Sequence, residues 1–182
     1  MKPLFTIHAG EYLFGNEVES RFPNLRIWIP SKDDGIDFLL TDRENKKTLS
    51  IQVKYSKDFN WTHGKQNLKP LTKTAGWYSL NREKIENSMA DFWVLVNYDG
   101  FRRIADYIFI KPHDLLNKFN SLGRSGKRIE SYVWVTNSVK CYETRNLKKG
   151  ELNALVSGKS NDEKRDLTAY LEKWDVIQKH FK

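Results

Sequence analysis

The chain has 182 residues, 39% of them hydrophobic and 13% aromatic, and a formal net charge of +8. That much apolar material excludes intrinsic disorder, and the length suits one well-cored domain over residues 1–182, leaving too little chain for two. The excess of positive charge favours an anionic partner, nucleic acid first and an acidic membrane surface second.

The first predicted element is a helix over about 9–21, "HAGEYLFGNEVESRF", with Tyr12, Leu13 and Val18 available for packing and Glu11 near its start. A strand, "LRIWIP", follows. Next comes "DDGIDFLLTDRENKKTLSIQVK", residues 33–54, two apolar runs around a charged turn, which reads as a β-hairpin. Alternation sends Ile36, Phe38 and Leu40 to one face, with Leu49, Ile51 and Val53 as their counterparts. A turn centred between Glu44 and Asn45 pairs Ile36 with Val53, Phe38 with Ile51 and Leu40 with Leu49. It also places Asp37 opposite Gln52, Cβ atoms roughly 4.5–5.5 Å apart, with Lys54 on the same face.

The stretch "SKDFNWTHGKQNLKPLTKTAGWY" reads as a basic loop carrying Lys57, His63, Lys65, Lys69 and Lys73, with Trp61, Trp77 and Tyr78 interleaved. Such a loop suits a phosphate backbone or exposed bases. A helix "NREKIENSMA" and a strand "DFWVLVNY" come next, closing a core of about 9–98. A second basic cluster, "GRSGKR" at 123–128, has loop composition and also suits phosphate; the rest of about 104–182 is read as architectural: a strand "IADYIFI", a short helix from Pro112 through Phe119 and a strand "SYVWVTN". Ser160 with Glu163 makes a helix-capping box, and Leu167, Tyr170, Leu171, Trp174 and Ile177 recur at helical spacing as a core-facing or partner-facing stripe.

Asp37 lies beyond the turn and inside an apolar strand, where strand propensity disfavours it; broken local rules of that kind concentrate at functional sites. A carboxylate and an amide carbonyl are hard oxygen ligands suited to magnesium, which keeps several waters and takes few protein groups. Lysine beside such an ion can steady developing negative charge or help activate a water. An ammonium beside a cation also needs an anion, and a nucleic-acid phosphate supplies one. The four histidines have no metal-ligand spacing, and no Gly-rich phosphate loop, serine elbow or cysteine pair occurs. Cys141 is the sole cysteine, and neither a signal peptide nor a membrane span is read, so a cytoplasmic setting is expected.

"DDGID" ending on Asp37, followed by "QVK" at Gln52, Val53 and Lys54, resembles the PD-(D/E)XK nuclease superfamily, which includes many restriction endonucleases and Holliday-junction resolvases. Gln52 stands where Glu or Asp is usual; Gln is a variant found at this place in the superfamily. The resemblance implies a restriction-endonuclease-like α/β fold, a mixed sheet flanked by helices with an α-β-β-β-α-β core. It implies a magnesium-dependent endonuclease, with manganese as substitute, acting on DNA ahead of RNA; a homodimer and a complex with a partner subunit are both left open by the sequence. Asp37, Gln52, the Val53 carbonyl and Glu11 would hold the metal, and Lys54 would orient the attacking water. Glu11 matches a Glu that many members carry on the first helix, although the helix dipole favours an acid in a first turn in any case. The alternatives are a nucleic-acid-binding module of the same fold without activity, and a protein-interaction subunit.

Overall fold

The computed structural model describes residues 7–31, 34–57 and 71–182. They form a mixed α/β protein with eight strands in two sheets and five α-helices. Helix α1 (Ala9–Arg21) is followed by β1 (Arg26–Trp28), β2 (Phe38–Thr41) and β3 (Thr48–Lys57). After β4 (Thr72–Asn81) and α2 (Arg82–Glu86) come β5 (Phe92–Asp99), β6 (Ile104–Ile110) and α3 (Pro112–Ser121). The remainder is β7 (Arg128–Thr136), β8 (Cys141–Glu143), α4 (Lys149–Val156) and α5 (Asp175–Phe181). None of these helices is long and apolar enough to cross a membrane.

The larger sheet has the order β1-β2-β3-β5-β6, antiparallel except where β3 runs parallel to β5. The smaller sheet, β4-β7-β8, is antiparallel throughout. Alternation along the central strands then divides the apolar residues into separate cores. On one face of the larger sheet, Phe38, Leu40, Leu49, Ile51, Val94 and Val96 pack with Phe14 and Val18 of α1 and Ile177 of α5. On its other face, Trp93, Leu95, Ile108 and Ile110 meet Tyr78 and Leu80 of β4 and Val133 and Val135 of β7. Helix α4 covers the outer face of the smaller sheet, where Leu152 and Val156 pack on Ala75 and Trp134.

The hairpin register follows the apolar alternation: Phe38 pairs with Ile51 and Leu40 with Leu49. The expected Ile36–Val53 pair does not form. The chain turns at Gly35, whose φ of 78° is open to glycine at little cost, and Ile36 leaves its neighbours to pack between the two sheets. Tyr12 is also misplaced by the sequence reading. It is 65% exposed, because Phe14 and Val18 define the buried stripe of α1.

Two larger expectations are corrected. Residues 72–81 form a ten-residue strand instead of a loop, so β4 stands between β3 and the crossover helix, which shrinks to α2. Its inward side carries Thr72, Thr74 and Gly76, and polar groups pay for that burial: Thr74 Oγ1 donates to Asp106 at 2.7 Å, and the Tyr78 hydroxyl donates to Asn97 at 2.7 Å. The C-terminal stripe is not one helix either, and no helix starts at Ser160. Leu167 and Leu171 enter the inter-sheet core, whereas Trp174 and Ile177 enter the α1-side core. Between them Leu171 is extended, bridging to Ile108 on β6, and Glu172 takes a positive φ of 51°. The Glu172 carboxylate then accepts the Tyr107 N–H at 2.8 Å and the Trp174 indole N–H at 2.7 Å. Leu167, Leu171, Trp174 and Ile177 are core because the segment crosses the sheet edge, and Tyr170 is partly buried beside them.

Candidate active site

The sequence places Asp37, Gln52 and Lys54 on one face, and all three line one cleft of about 800 Å³. Asp37 and Gln52 are buried, at 9% and 6% exposure, and Lys54 is half-buried. The Asp37 N–H continues the ladder by donating to the Ile51 carbonyl at 2.8 Å. Beyond it the ladder stops, and the Asp37 side chain takes over: Oδ2 accepts the Val53 N–H at 2.7 Å. The same Oδ2 accepts the Gln52 side-chain N–H, while Oδ1 accepts no hydrogen bond from the described residues.

Gln52 Nε2 also lies 3.4 Å from the Val53 carbonyl oxygen. The amide nitrogen therefore marks a point on which a carboxylate oxygen and a backbone carbonyl converge, a place for positive charge. A half-turn of the Gln52 amide sets its oxygen beside those two, giving three adjacent hard oxygen donors that repel one another until a cation binds next to them on the cleft side. This donor set fits a magnesium ion. It contains a single carboxylate, and among the described residues no three His, Cys, Asp or Glu side chains form a metal-ligand cluster.

Glu11 lines the same cleft. It is carried there because α1 touches β3 at Gly10, where a Cβ would overlap the Cβ of Tyr55. Its carboxylate accepts the His8 backbone N–H at 3.1 Å, the capping role that a first-turn acid fills in any helix. Ligation of a metal would have to replace that bond.

Several cleft residues escaped the sequence reading: His8 before α1, Asn81 at the end of β4, Lys84 on α2, and Ser88 and Trp93 around the start of β5. Only Trp93 had a visible signal, since it alternates with Val94 along its strand. Its parity relative to Gln52 is set by the parallel register, in which Gln52 pairs with Trp93. The acids Glu11, Asp34, Asp37 and Glu83 face two lysines, Lys54 and Lys84, across this cleft. Tyr55, also in the lining, has its phenol pushed up by burial and then by Tyr98, so it remains a hydroxyl at neutral pH.

Of the five basic residues expected to touch nucleic acid, His63, Lys65 and Lys69 lie outside the described residues. Lys57 is exposed at the end of β3. Lys73 is not on a loop: it sits in β4 and pairs with the fully buried Asp106, so its ammonium serves the fold. In the 123–128 loop, Arg124 is similarly committed, to Glu143 at 2.5 Å.

No protein-family model, curated protein or solved structure matches this chain.

Proposed function

We propose that this protein is a magnesium-dependent endonuclease that hydrolyses DNA phosphodiester bonds, with a restriction-endonuclease-like core and a Gln variant of the PD-(D/E)XK motif. A restriction enzyme, or the nuclease subunit of such a system, is the role this reading assigns. The observation that carries it is the convergence of Asp37, Gln52, the Val53 carbonyl and Lys54 in one cleft. The order α1, three antiparallel strands and a crossover to a parallel β5 supports it. So does the charge pattern. The protein is basic overall, yet four carboxylates face two lysines in the cleft, and a polyanion enters a site of that sign most readily beside a cation.

In this reading Asp37, the Val53 carbonyl and the turned Gln52 hold the ion, with Glu11 at the cleft wall. Bound there, the ion would supply Lewis-acid stabilisation of the phosphate and a more acidic water. Lys54 lines the same cleft, where its ammonium would donate to a phosphate oxygen or orient the incoming water. In-line attack would leave a 5′-phosphate, as the resemblance implies. Plasmid DNA and RNA incubated with the protein and magnesium test this directly. Nicking or linearisation of the plasmid is expected, with loss of activity on chelation.

One observation favours a second reading, a nucleic-acid-binding module without activity. The Gln52 amide already satisfies Asp37 with a hydrogen bond, so the pair is closed without a metal. Tight, salt-sensitive binding of DNA with no cleavage under any divalent ion would support it.

Gln52 variants separate the two readings. Gln52→Ala is expected to weaken cleavage at limiting magnesium by roughly 10–100-fold or more, the size of loss seen when metal-site partners are removed. Gln52→Glu keeps an oxygen donor but sets two carboxylates together in a buried place, which is unfavourable until a cation joins them. Its melting temperature should therefore rise with magnesium far more than the parent's. Equal magnesium responses in parent and Gln52→Glu would remove Gln52 from the metal site. For nucleic-acid contact, replacing Lys65 and Lys69 together by alanine should reduce the salt slope of duplex binding by about 1.8, at roughly 0.9 per phosphate contact. An unchanged slope in a salt titration would take both lysines out of the interface.

A further inference from the structure

We infer that Trp93 is a positioning residue for Lys54, holding the lysine ammonium over its indole face on the floor of the cleft. The inference deepens the nuclease reading and rests on it for the use made of Lys54. The parallel pairing of Gln52 with Trp93 sets the indole on the sheet face that also carries Lys54. Lys54 Nζ lies 5.3 Å from the ring centroid, within the distance at which the negative face of an indole attracts a cation.

The ring itself is held in place. Trp93 is 2% exposed, and its Nε1–H donates to Ser88 Oγ at 2.8 Å. The same hydroxyl accepts the Ala90 N–H at 3.3 Å. Next in the chain, Asp91 is fastened to β3: its carboxylate accepts the Ser50 N–H and hydroxyl, each at 2.7 Å, and its own N–H donates to the Ser50 carbonyl at 3.0 Å. The segment that fixes the indole plane is thus tied to the strand that bears Lys54. Burial alone would require only apolar area from residue 93. The fixed plane, the anchored Nε1 and the ammonium over the face add a second task, which is to restrict a long, flexible side chain to one side of the Asp37–Gln52 pair.

Proton and carbon shifts of the Lys54 Cε–Hε group test the placement without reference to cleavage, the signal being assigned by its loss in Lys54→Arg. In the full-length protein it is expected upfield of the other lysines because of the indole ring current. Trp93→Leu should return it to the common lysine position, Trp93→Phe should keep part of the displacement, and Ser88→Ala, which leaves the core filled, should reduce it. In cleavage assays with magnesium, Trp93→Leu should lower kcat by about tenfold with KM for DNA little changed, and Trp93→Phe should recover most of it. A Lys54 signal without ring-current displacement in the parent overturns the inference. So does an unchanged kcat in a Trp93→Leu protein that has lost the displacement. A parent that cleaves nothing yet has the displaced signal overturns the nuclease reading and leaves the placement of Lys54 by Trp93 standing.

Discussion

Asp37→Ala is expected to lower DNA cleavage by on the order of 10³-fold while leaving most DNA affinity in place. The loss follows from removing the only carboxylate in the inner donor set, and the affinity survives because the basic surface is untouched. The variant also carries a structural cost. Asp37 Oδ2 accepts both the Val53 N–H and the Gln52 amide, so alanine strands two buried donors at about 1–3 kcal/mol each. Asp37→Asn isolates the chemistry. Its side-chain oxygen still accepts the Val53 N–H, while the negative charge that would attract a cation is gone. Cleavage should therefore fall as far in Asp37→Asn as in Asp37→Ala, with a smaller drop in melting temperature. Single-turnover nicking, duplex titration and thermal melting on both variants measure the three quantities separately. A folded Asp37→Asn protein cleaving at the parental rate would exclude this site from catalysis.

Glu143→Ala is the substitution expected to harm the fold most. Glu143 is 2% exposed at the end of β8 and accepts Arg124 at 2.5 Å and Arg165 at 2.9 Å on Oε2. Its Oε1 takes the backbone N–H groups of Tyr132 at 3.2 Å and Arg145 at 3.1 Å, with the Ser131 hydroxyl at 3.3 Å. One carboxylate thus ties the smaller sheet to the loop after α3 and to the segment beyond α4. Alanine leaves the Arg124 guanidinium without its counter-charge in a largely buried place, and leaves Arg165 with only the more exposed Asp162 carboxylate at 3.2 Å, a loss of about 3–5 kcal/mol. For a chain of this length, that corresponds to a melting point lower by roughly 6–20 °C. Carbonyl partners on both arginines soften the loss: Arg124 also donates to the Glu130 carbonyl at 2.8 Å and Arg165 to the Arg145 carbonyl at 3.0 Å. Removing all three charges at once, with apolar residues of similar volume, should cost far less than Glu143→Ala alone. Thermal melts of the single and triple variants decide it. A Glu143→Ala protein that melts with the parent would mean that the carbonyls suffice.

The hairpin register and with it the shared face of Asp37, Gln52 and Lys54 were legible because both strands alternate cleanly around a polar turn. The strand pair β5–β6 and helix α3 were legible for similar reasons, a dense apolar run and a proline start. β4 was hidden because the first half of its buried side is polar: Thr74 has no apolar signature, and the Asp106 that satisfies it lies 32 positions away, while only Tyr78 and Leu80 at its far end are apolar on that side. The false C-terminal helix came from the opposite cause. Leu167, Leu171, Trp174 and Ile177 have helical spacing, but the cores on either side of the sheet edge draw them apart, and tertiary packing overrides local periodicity. The far wall of the cleft, with Lys84 and Ser88, is assembled by the crossover from β3 to β5, and spacing along the chain carries no trace of it.

The substitution of a side chain for a strand partner at Val53 has a consequence for motion. Most amides of a central strand exchange with heavy water only when the sheet opens, a costly event. The Val53 amide is guarded by the carboxylate of Asp37 instead, so a rotamer change of one residue is enough to uncover it. Whatever draws Asp37 toward the cleft or away from it changes that guard, and a single backbone proton deep in β3 becomes a clock for events at the site.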